Sequence, residues 1–143
     1  MEIRQQNNTT TKRLKTNKMN KEFIPYEQAL ALQRLGFNEE CFGTWFELEG
    51  KYSIIIRNNL YRNDLQTPSP LYQQAFRWFR EKYSLFGCID LHTSTPIHWY
   101  IRIDDIIKND YIYHSEDYNL KYNTYEETEL ECLKKLIEIV KKK

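Results

Sequence analysis

Glycine, proline and cysteine are scarce in this chain of 143 residues, which contains four, four and three of them respectively. So few glycines and prolines exclude collagen-like chains and Pro/Gly-rich disordered chains. No run of about 18 apolar residues occurs, so the sequence predicts no membrane span. Near the N-terminus there is no apolar segment of the kind found in secretory signals. The length suits one ordinary domain.

Several motifs that carry chemistry are also missing. The sequence has no G-x-x-x-x-G-K-[ST] or G-x-G-x-x-G phosphate loop and no G-x-S-x-G nucleophile motif, which argues against P-loop, dinucleotide-binding and hydrolase enzymes. Cys41, Cys88 and Cys132 lie more than 40 residues apart, and neither C-x-x-C nor H-x-x-x-H occurs. We therefore expect buried thiols rather than a disulfide framework, and we predict no cofactor and no metal.

Charge is balanced over the whole chain but not along it. The total of 21 basic and 20 acidic residues argues against a wholly basic nucleic-acid-binding protein. Residues 1–22 hold six basic and two acidic residues, residues 23–140 hold 12 and 18, and three lysines follow. We predict a disordered basic arm at 1–22 and a single domain at 23–143. The candidate phosphate-contacting residues of the arm are Lys12, Arg13, Lys15, Lys18 and Lys21.

Three segments have helical patterns. The first is predicted over 25–35 and should end at Gly36, because glycine adopts a positive φ at low cost. The second is predicted over 70–83, with Ser69 as its N-cap and an apolar face made by aromatic residues three and four positions apart. The third is predicted from residue 124, where Thr124 and Glu127 match the capping box.

Alternating apolar and polar residues predict strands between the helices. Residues 41–57 fit a hairpin that turns at Gly50, and 88–92 and 97–103 fit a second strand pair. A short strand at 111–113 follows, whereas 58–68 and 84–87 are predicted as a loop and a turn. The predicted order is α-β-β-α-β-β-(β)-α. We therefore expect an α+β fold with a mostly antiparallel sheet of four or five strands and three helices.

Blocks of the sequence resemble a known group of proteins. The segments are IPYEQALALQRLGF, CFG, LYQQAFRWFREKY and TYEETELECLKKLIEIV, a pattern similar to small uncharacterised proteins of bacteriophages and prophages. The resemblance implies a phage-encoded protein that acts in the bacterial cytoplasm. It implies no activity and no catalytic residue.

Two of the three histidines flank the turn of the second strand pair. His92 and His98 could face each other across this hairpin, and with Asp104 they would make a candidate site for a small metal-dependent nuclease. The competing interpretation is polar side chains on the solvent face of the strands. Asp104 and Asp105 point to opposite faces if both lie in a strand, so they cannot form a single two-carboxylate site.

Tyrosine is concentrated in one segment, because five of the eleven tyrosines lie between residues 111 and 125. Tyrosine is enriched at interfaces. The leading hypothesis is therefore a non-enzymatic binding protein that engages a protein partner, or a second copy of itself, through an aromatic surface. An alternative is nucleic-acid binding through the arm, and a second alternative is the nuclease. The candidate protein-binding residues are Tyr111, Tyr113, Tyr118 and Tyr122.

Overall fold

The computed structural model of the protein describes residues 20–56 and 66–143. The described residues form three α-helices, six strands and one 3-10 helix. In chain order these are α1 (Tyr26–Arg34), β1 (Gly43–Leu48), β2 (Lys51–Ile56), β3 (Gln66–Ser69), α2 (Tyr72–Tyr83), β4 (Leu85–His92), β5 (His98–Asp105), β6 (Asp110–His114), the 3-10 helix (Ser115–Tyr118) and α3 (Tyr125–Lys141). The α+β class and the three predicted helices are confirmed.

Two of the predicted helix ends are confirmed by their hydrogen bonds. Gly36 follows α1 with φ +97°, and the Phe37 N–H donates to the Leu32 carbonyl at 3.0 Å, as in a Schellman motif. At the start of α3, the Glu127 N–H donates to the Thr124 hydroxyl at 3.2 Å. These two helix ends could be predicted from the sequence because each depends only on residues within one helical turn.

The predicted N-cap of α2 is wrong. Helix α2 begins at Tyr72, and the preceding Leu71 makes no side-chain cap. Ser69 is the last residue of β3 and is fully buried, and its hydroxyl donates to the Ile24 carbonyl at 3.0 Å. The Ser69 side chain therefore bonds to the segment before α1, although its position in the sequence predicted that it would cap α2.

The strands form two three-stranded antiparallel sheets, with orders β2-β1-β3 and β4-β5-β6. Both predicted hairpins are confirmed, but the single sheet of four or five strands is wrong. Strand β3 pairs with β1, and β4 pairs with β5 rather than with any strand of the first sheet. The first three residues of β3 belong to the segment 58–68 that was predicted as a loop. Pro68 lacks a backbone donor, and β3 is an edge strand, the position in a sheet that tolerates proline.

The second sheet also differs from the prediction at its first strand. Strand β4 begins at Leu85, in the segment expected to be a turn, because Ser84 ends α2 in a left-handed conformation and the chain becomes extended at once. Strand β6 confirms the short strand predicted around 111–113 and pairs with β5 across a β-bulge.

The main core lies between the second sheet and the helices. Helix α3 packs on β4 and β5, and α2 packs on β4. Leu85, Ile101 and Ile103 point into this core, where they are fully buried. Polar residues alternate with them on the opposite face of the sheet, where Arg102 spans Cys88 on β4 and Asp104 on its own strand. This polar face leads along β4 and β5 to the site described next.

Candidate metal centre

The β4–β5 hairpin brings two histidines together at its end. His92 is the last residue of β4 and His98 the first of β5, and the two are directly paired in the antiparallel register. Their rings stack with centroids 4.6 Å apart and planes inclined by 18°. The proposed facing of His92 and His98 across the hairpin is therefore confirmed.

The third member of the cluster comes from the 3-10 helix. Ser115, at its start, is fully buried and accepts the Ile101 N–H of β5 at 2.8 Å through its hydroxyl oxygen. The Ser115 carbonyl accepts the Leu120 N–H at 3.0 Å on the other side. These bonds anchor the 3-10 helix to the middle of the sheet, and Glu116 then extends to the two histidines.

One carboxylate oxygen of Glu116 lies between the two rings. Glu116 Oε1 is 2.9 Å from His92 Nδ1 and 2.8 Å from His98 Nε2. The outward ring nitrogens, which are the ones that do not face Glu116, have partners as well. His98 Nδ1 is 2.9 Å from the Pro96 carbonyl, and His92 Nε2 contacts the Ser94 hydroxyl. Each imidazole is thus held at both nitrogens, and His92, His98 and Glu116 form the group called here the triad.

The contact to Pro96 determines where a proton lies on His98. A carbonyl only accepts hydrogen bonds, so Nδ1 of His98 must carry the hydrogen. Nε2 then either carries a second proton or presents its lone pair to the Glu116 carboxylate. A lone pair 2.8 Å from a carboxylate oxygen is repulsive unless a cation lies between them. At this distance the geometry requires a proton between the two atoms, and a metal ion could replace it only if they moved apart.

The charge on Glu116 follows from the same contacts. The hydrogen bond from His98, and secondarily that from His92, holds the pKa of the Glu116 carboxyl below its usual value, although partial burial opposes this. The carboxylate is therefore ionised over the ordinary pH range and is available as an acceptor or a ligand.

The triad also satisfies the simplest requirements of a metal site. The three ligand atoms lie within 4.8 Å of one another. Tetrahedral zinc with bonds of about 2.0–2.1 Å places its ligands about 3.3 Å apart. The Glu116 oxygen would therefore withdraw from each nitrogen by roughly 0.4 to 0.5 Å. The two nitrogens, which lie within 4.8 Å of each other, would have to take the same spacing of about 3.3 Å. The Pro96 and Ser94 contacts are the outer-shell partners that metal-ligating histidines ordinarily have.

A surface depression of about 320 Å³ opens onto the triad. Besides His92, His98 and Glu116, it is lined by Ser94, Thr95, Pro96, Asn119 and Lys121. The triad therefore faces solvent through a polar cleft and is reachable by small molecules.

Asp104, the predicted third member of a nuclease site, is not at the triad. It accepts a hydrogen bond from Arg102 Nε at 3.1 Å. It lies six positions after His98 in the same strand, which corresponds to about 20 Å along β5. The set of His92, His98 and Asp104 is therefore wrong, and Glu116 takes the place of Asp104. The sequence did not point to Glu116, because no local pattern indicates that β6 and the 3-10 helix fold back to this hairpin.

The predicted tyrosine surface is divided by the fold. Tyr111 and Tyr118 are 60% and 65% exposed, whereas Tyr113 is buried and stacks on Tyr118 with centroids 5.4 Å apart. Tyr122 is half-buried, forms an isolated bridge with Trp99, and has its pKa raised to about 12, chiefly by burial. Two of the four predicted residues therefore offer large areas to solvent.

Most of the predicted basic arm lies outside the described residues, including Lys12, Arg13, Lys15 and Lys18. Lys21 is described and exposed. The neighbouring Glu22 carbonyl accepts the Tyr72 N–H at 3.1 Å, so the end of the predicted arm is joined to α2. Nucleic-acid binding by the arm stays a prediction.

Among the helices within 20–56 and 66–143, none is both long enough and apolar enough to cross a bilayer. The resemblance to bacteriophage proteins, and the bacterial cytoplasm that it implies, stay predictions. Comparison of the chain with protein-family models, with curated proteins and with solved structures finds no match.

Proposed function

We propose that this protein binds a divalent transition-metal ion of the zinc class through His92 Nδ1, His98 Nε2 and a Glu116 carboxylate oxygen. The observation that carries the proposal is the convergence of these three atoms from three chain segments within 4.8 Å of one another. The outward nitrogens of both rings are already engaged by Pro96 and Ser94, so the inward nitrogens are oriented before any ion arrives.

The ligand types favour some metals over others. Two imidazole nitrogens and one carboxylate suit zinc, cobalt, nickel and copper, whereas magnesium and calcium prefer sites made only of oxygen. Three protein ligands leave a tetrahedral ion with one open position, as in catalytic zinc sites. The open position would face the polar depression beside Lys121.

The competing interpretation is that a proton alone holds the triad together. In that case His98 is an imidazolium that donates to Pro96 and to Glu116, and the triad is a structural link between the hairpin and the 3-10 helix. The two interpretations differ in a measurable way, because only the first predicts tight and saturable metal binding.

Isothermal titration of tag-free protein with Zn²⁺ and with Co²⁺ tests the proposal. We expect one ion per chain, and a tetrahedral Co²⁺ absorption spectrum. His98→Ala, His92→Ala and Glu116→Gln should each weaken binding by at least about tenfold, since even outer-shell partners are worth about 10–100-fold.

His114→Ala is the matched control, because His114 is the third histidine of the chain and lies on the same sheet. Its Nδ1 has no hydrogen-bond partner among the described residues, so the substitution breaks no such bond there. Wild-type binding by His114→Ala is expected. Failure of the wild-type protein to bind either ion, or unchanged binding by His98→Ala, would overturn the proposal.

A second candidate function is engagement of a protein partner or of a second copy, as the tyrosine content suggests. It is supported by exposed apolar side chains around the β5–β6 turn, namely Ile106, Ile107, Tyr111 and Ile112. Sedimentation velocity compares the wild type with Ile107→Ser/Tyr111→Ser and with Leu48→Ser, a control at an exposed residue of the other sheet. Self-association lost only in the double variant would support it, and a monomeric wild type would count against self-association.

A further inference from the structure

The depression beside the triad has a positively charged wall as well as potential metal ligands. Lys121 and Asn119 line it together with the triad. Among residues 20–56 and 66–143, Lys121 takes part in none of the salt bridges, which involve other lysines, arginines and histidines. Lys121 is exposed, and no ion pair among these residues competes with a ligand for its ammonium group.

The backbone around Lys121 is held on both sides. The Leu120 N–H donates to the Ser115 carbonyl at 3.0 Å, and Tyr122 exchanges two hydrogen bonds with Trp99, of 2.9 and 3.0 Å. The Asn119 N–H donates to the Glu116 carbonyl at 3.0 Å. Segment 119–122 is thus attached to the 3-10 helix and to β5, the same elements that position the triad.

The charges in a metal-loaded depression would not cancel. Two neutral imidazoles and one carboxylate leave a divalent ion with a net charge of about +1, and Lys121 adds a second positive charge. A small anion is the ligand that offsets this excess, since metal ions and ammonium groups both favour anionic oxygen. A volume of about 320 Å³ is at the lower end for ligand pockets, which suits a small ion with some water.

We infer that the metal centre binds a small oxyanion, with one oxygen as the fourth metal ligand and the others bonded to Lys121 and Asn119. The chemical class is a phosphate or carboxylate group, either free or at the end of a larger molecule. This inference rests on the proposed metal binding, because the metal supplies one of its contacts.

Absorption spectroscopy of the Co²⁺-loaded protein tests this inference separately from metal binding. The probes are inorganic phosphate, methyl phosphate and acetate, with chloride as a monoatomic anion for comparison. We expect a saturable change in the cobalt absorption with at least one oxyanion and a weaker response to chloride. Inorganic phosphate alone would indicate a free ion, whereas a stronger response to methyl phosphate would indicate the terminal group of a larger molecule.

Lys121→Met should weaken the oxyanion response by about tenfold or more, because charge-assisted hydrogen bonds are among the stronger ones. It should not weaken Co²⁺ binding, because it removes a positive charge that repels the metal ion. Lys108→Met is the matched control, since Lys108 is exposed in the β5–β6 turn and does not line the depression. A normal cobalt spectrum that no oxyanion alters, or an unchanged response in Lys121→Met, overturns this inference alone. Absence of cobalt binding overturns it together with the proposed function.

Discussion

Lowering the pH should weaken metal binding at the triad, because protons and the metal ion compete for the same nitrogen atoms. Without metal, the hydrogen bonds of His98 to both Pro96 and Glu116 require a proton on each ring nitrogen. Metal at Nε2 displaces one of these protons. His92 contacts a serine hydroxyl, which donates or accepts, so its ring releases one proton or none.

The size of the pH effect on metal affinity follows from the number of protons that the metal displaces. Glu116 releases no proton, because its histidine contacts hold the pKa of its carboxyl below the usual value and it is already ionised. One displaced proton weakens the affinity by about tenfold for each unit by which the pH falls, or about 1.4 kcal/mol, and two displaced protons double this free energy.

Zinc titration calorimetry in buffers of different ionisation enthalpy counts the released protons directly. We expect between one and two protons to be released for each ion bound, one from His98 and one or none from His92. His114→Ala should release the same number of protons. An affinity independent of pH, or release unchanged by His98→Ala, would refute the assignment of His98 as the ligand that exchanges a proton for the metal.

Three further substitutions test the fold, one at the triad's anchor and two in or beside helix α3. Ser115→Ala should lower the free energy of unfolding by about 1–3 kcal/mol and weaken metal binding, because the buried Ile101 N–H loses its acceptor. Gly87→Ala should cost about 1–3 kcal/mol, since a Cβ there lies 3.0 Å from Cys132 Sγ and 2.9 Å from a Phe76 ring carbon. Burial, followed by Glu22 and Glu126, raises the pKa of Glu129 to about 7. The folded state therefore binds a proton that the unfolded state releases, so stability should fall from about pH 4.5 to 7, and Glu129→Gln should flatten this slope.

Denaturant unfolding measures the free energy of unfolding of all three variants, and Ser53→Ala and Glu47→Gln are controls at exposed residues of the other sheet. Ser115→Ala with wild-type stability would contradict the anchoring of the 3-10 helix. Unchanged stability of Gly87→Ala would mean that the packing of α2 and α3 on β4 is loose. A pH slope that persists in Glu129→Gln would assign the extra proton to another group.

Local patterns predicted the helices well, because their signals lie within a few residues of each other. Gly36 ends α1 and Thr124 begins α3 as their sequence positions indicated. The β4–β5 hairpin was also predictable, since its strands are joined by a short turn that sets the register and hence the pairing of His92 with His98.

Long-range pairing was not predictable from the same signals. Strand β3 joins β1 rather than remaining a loop, and the Ser69 hydroxyl donates to the Ile24 carbonyl instead of capping α2. Which strands share a sheet depends on the burial of whole faces, and a single sequence carries little information about that choice.

The sequence by itself determined the α+β class, the three helices and the meeting of two histidines, because each depends on contacts between near neighbours in the chain. Only the tertiary structure decided that Glu116, and not Asp104, completes the site. Glu116 lies 18 residues beyond His98 and 24 beyond His92. It reaches them only because β6 folds back on β5 and the buried Ser115 hydroxyl secures the helix that follows.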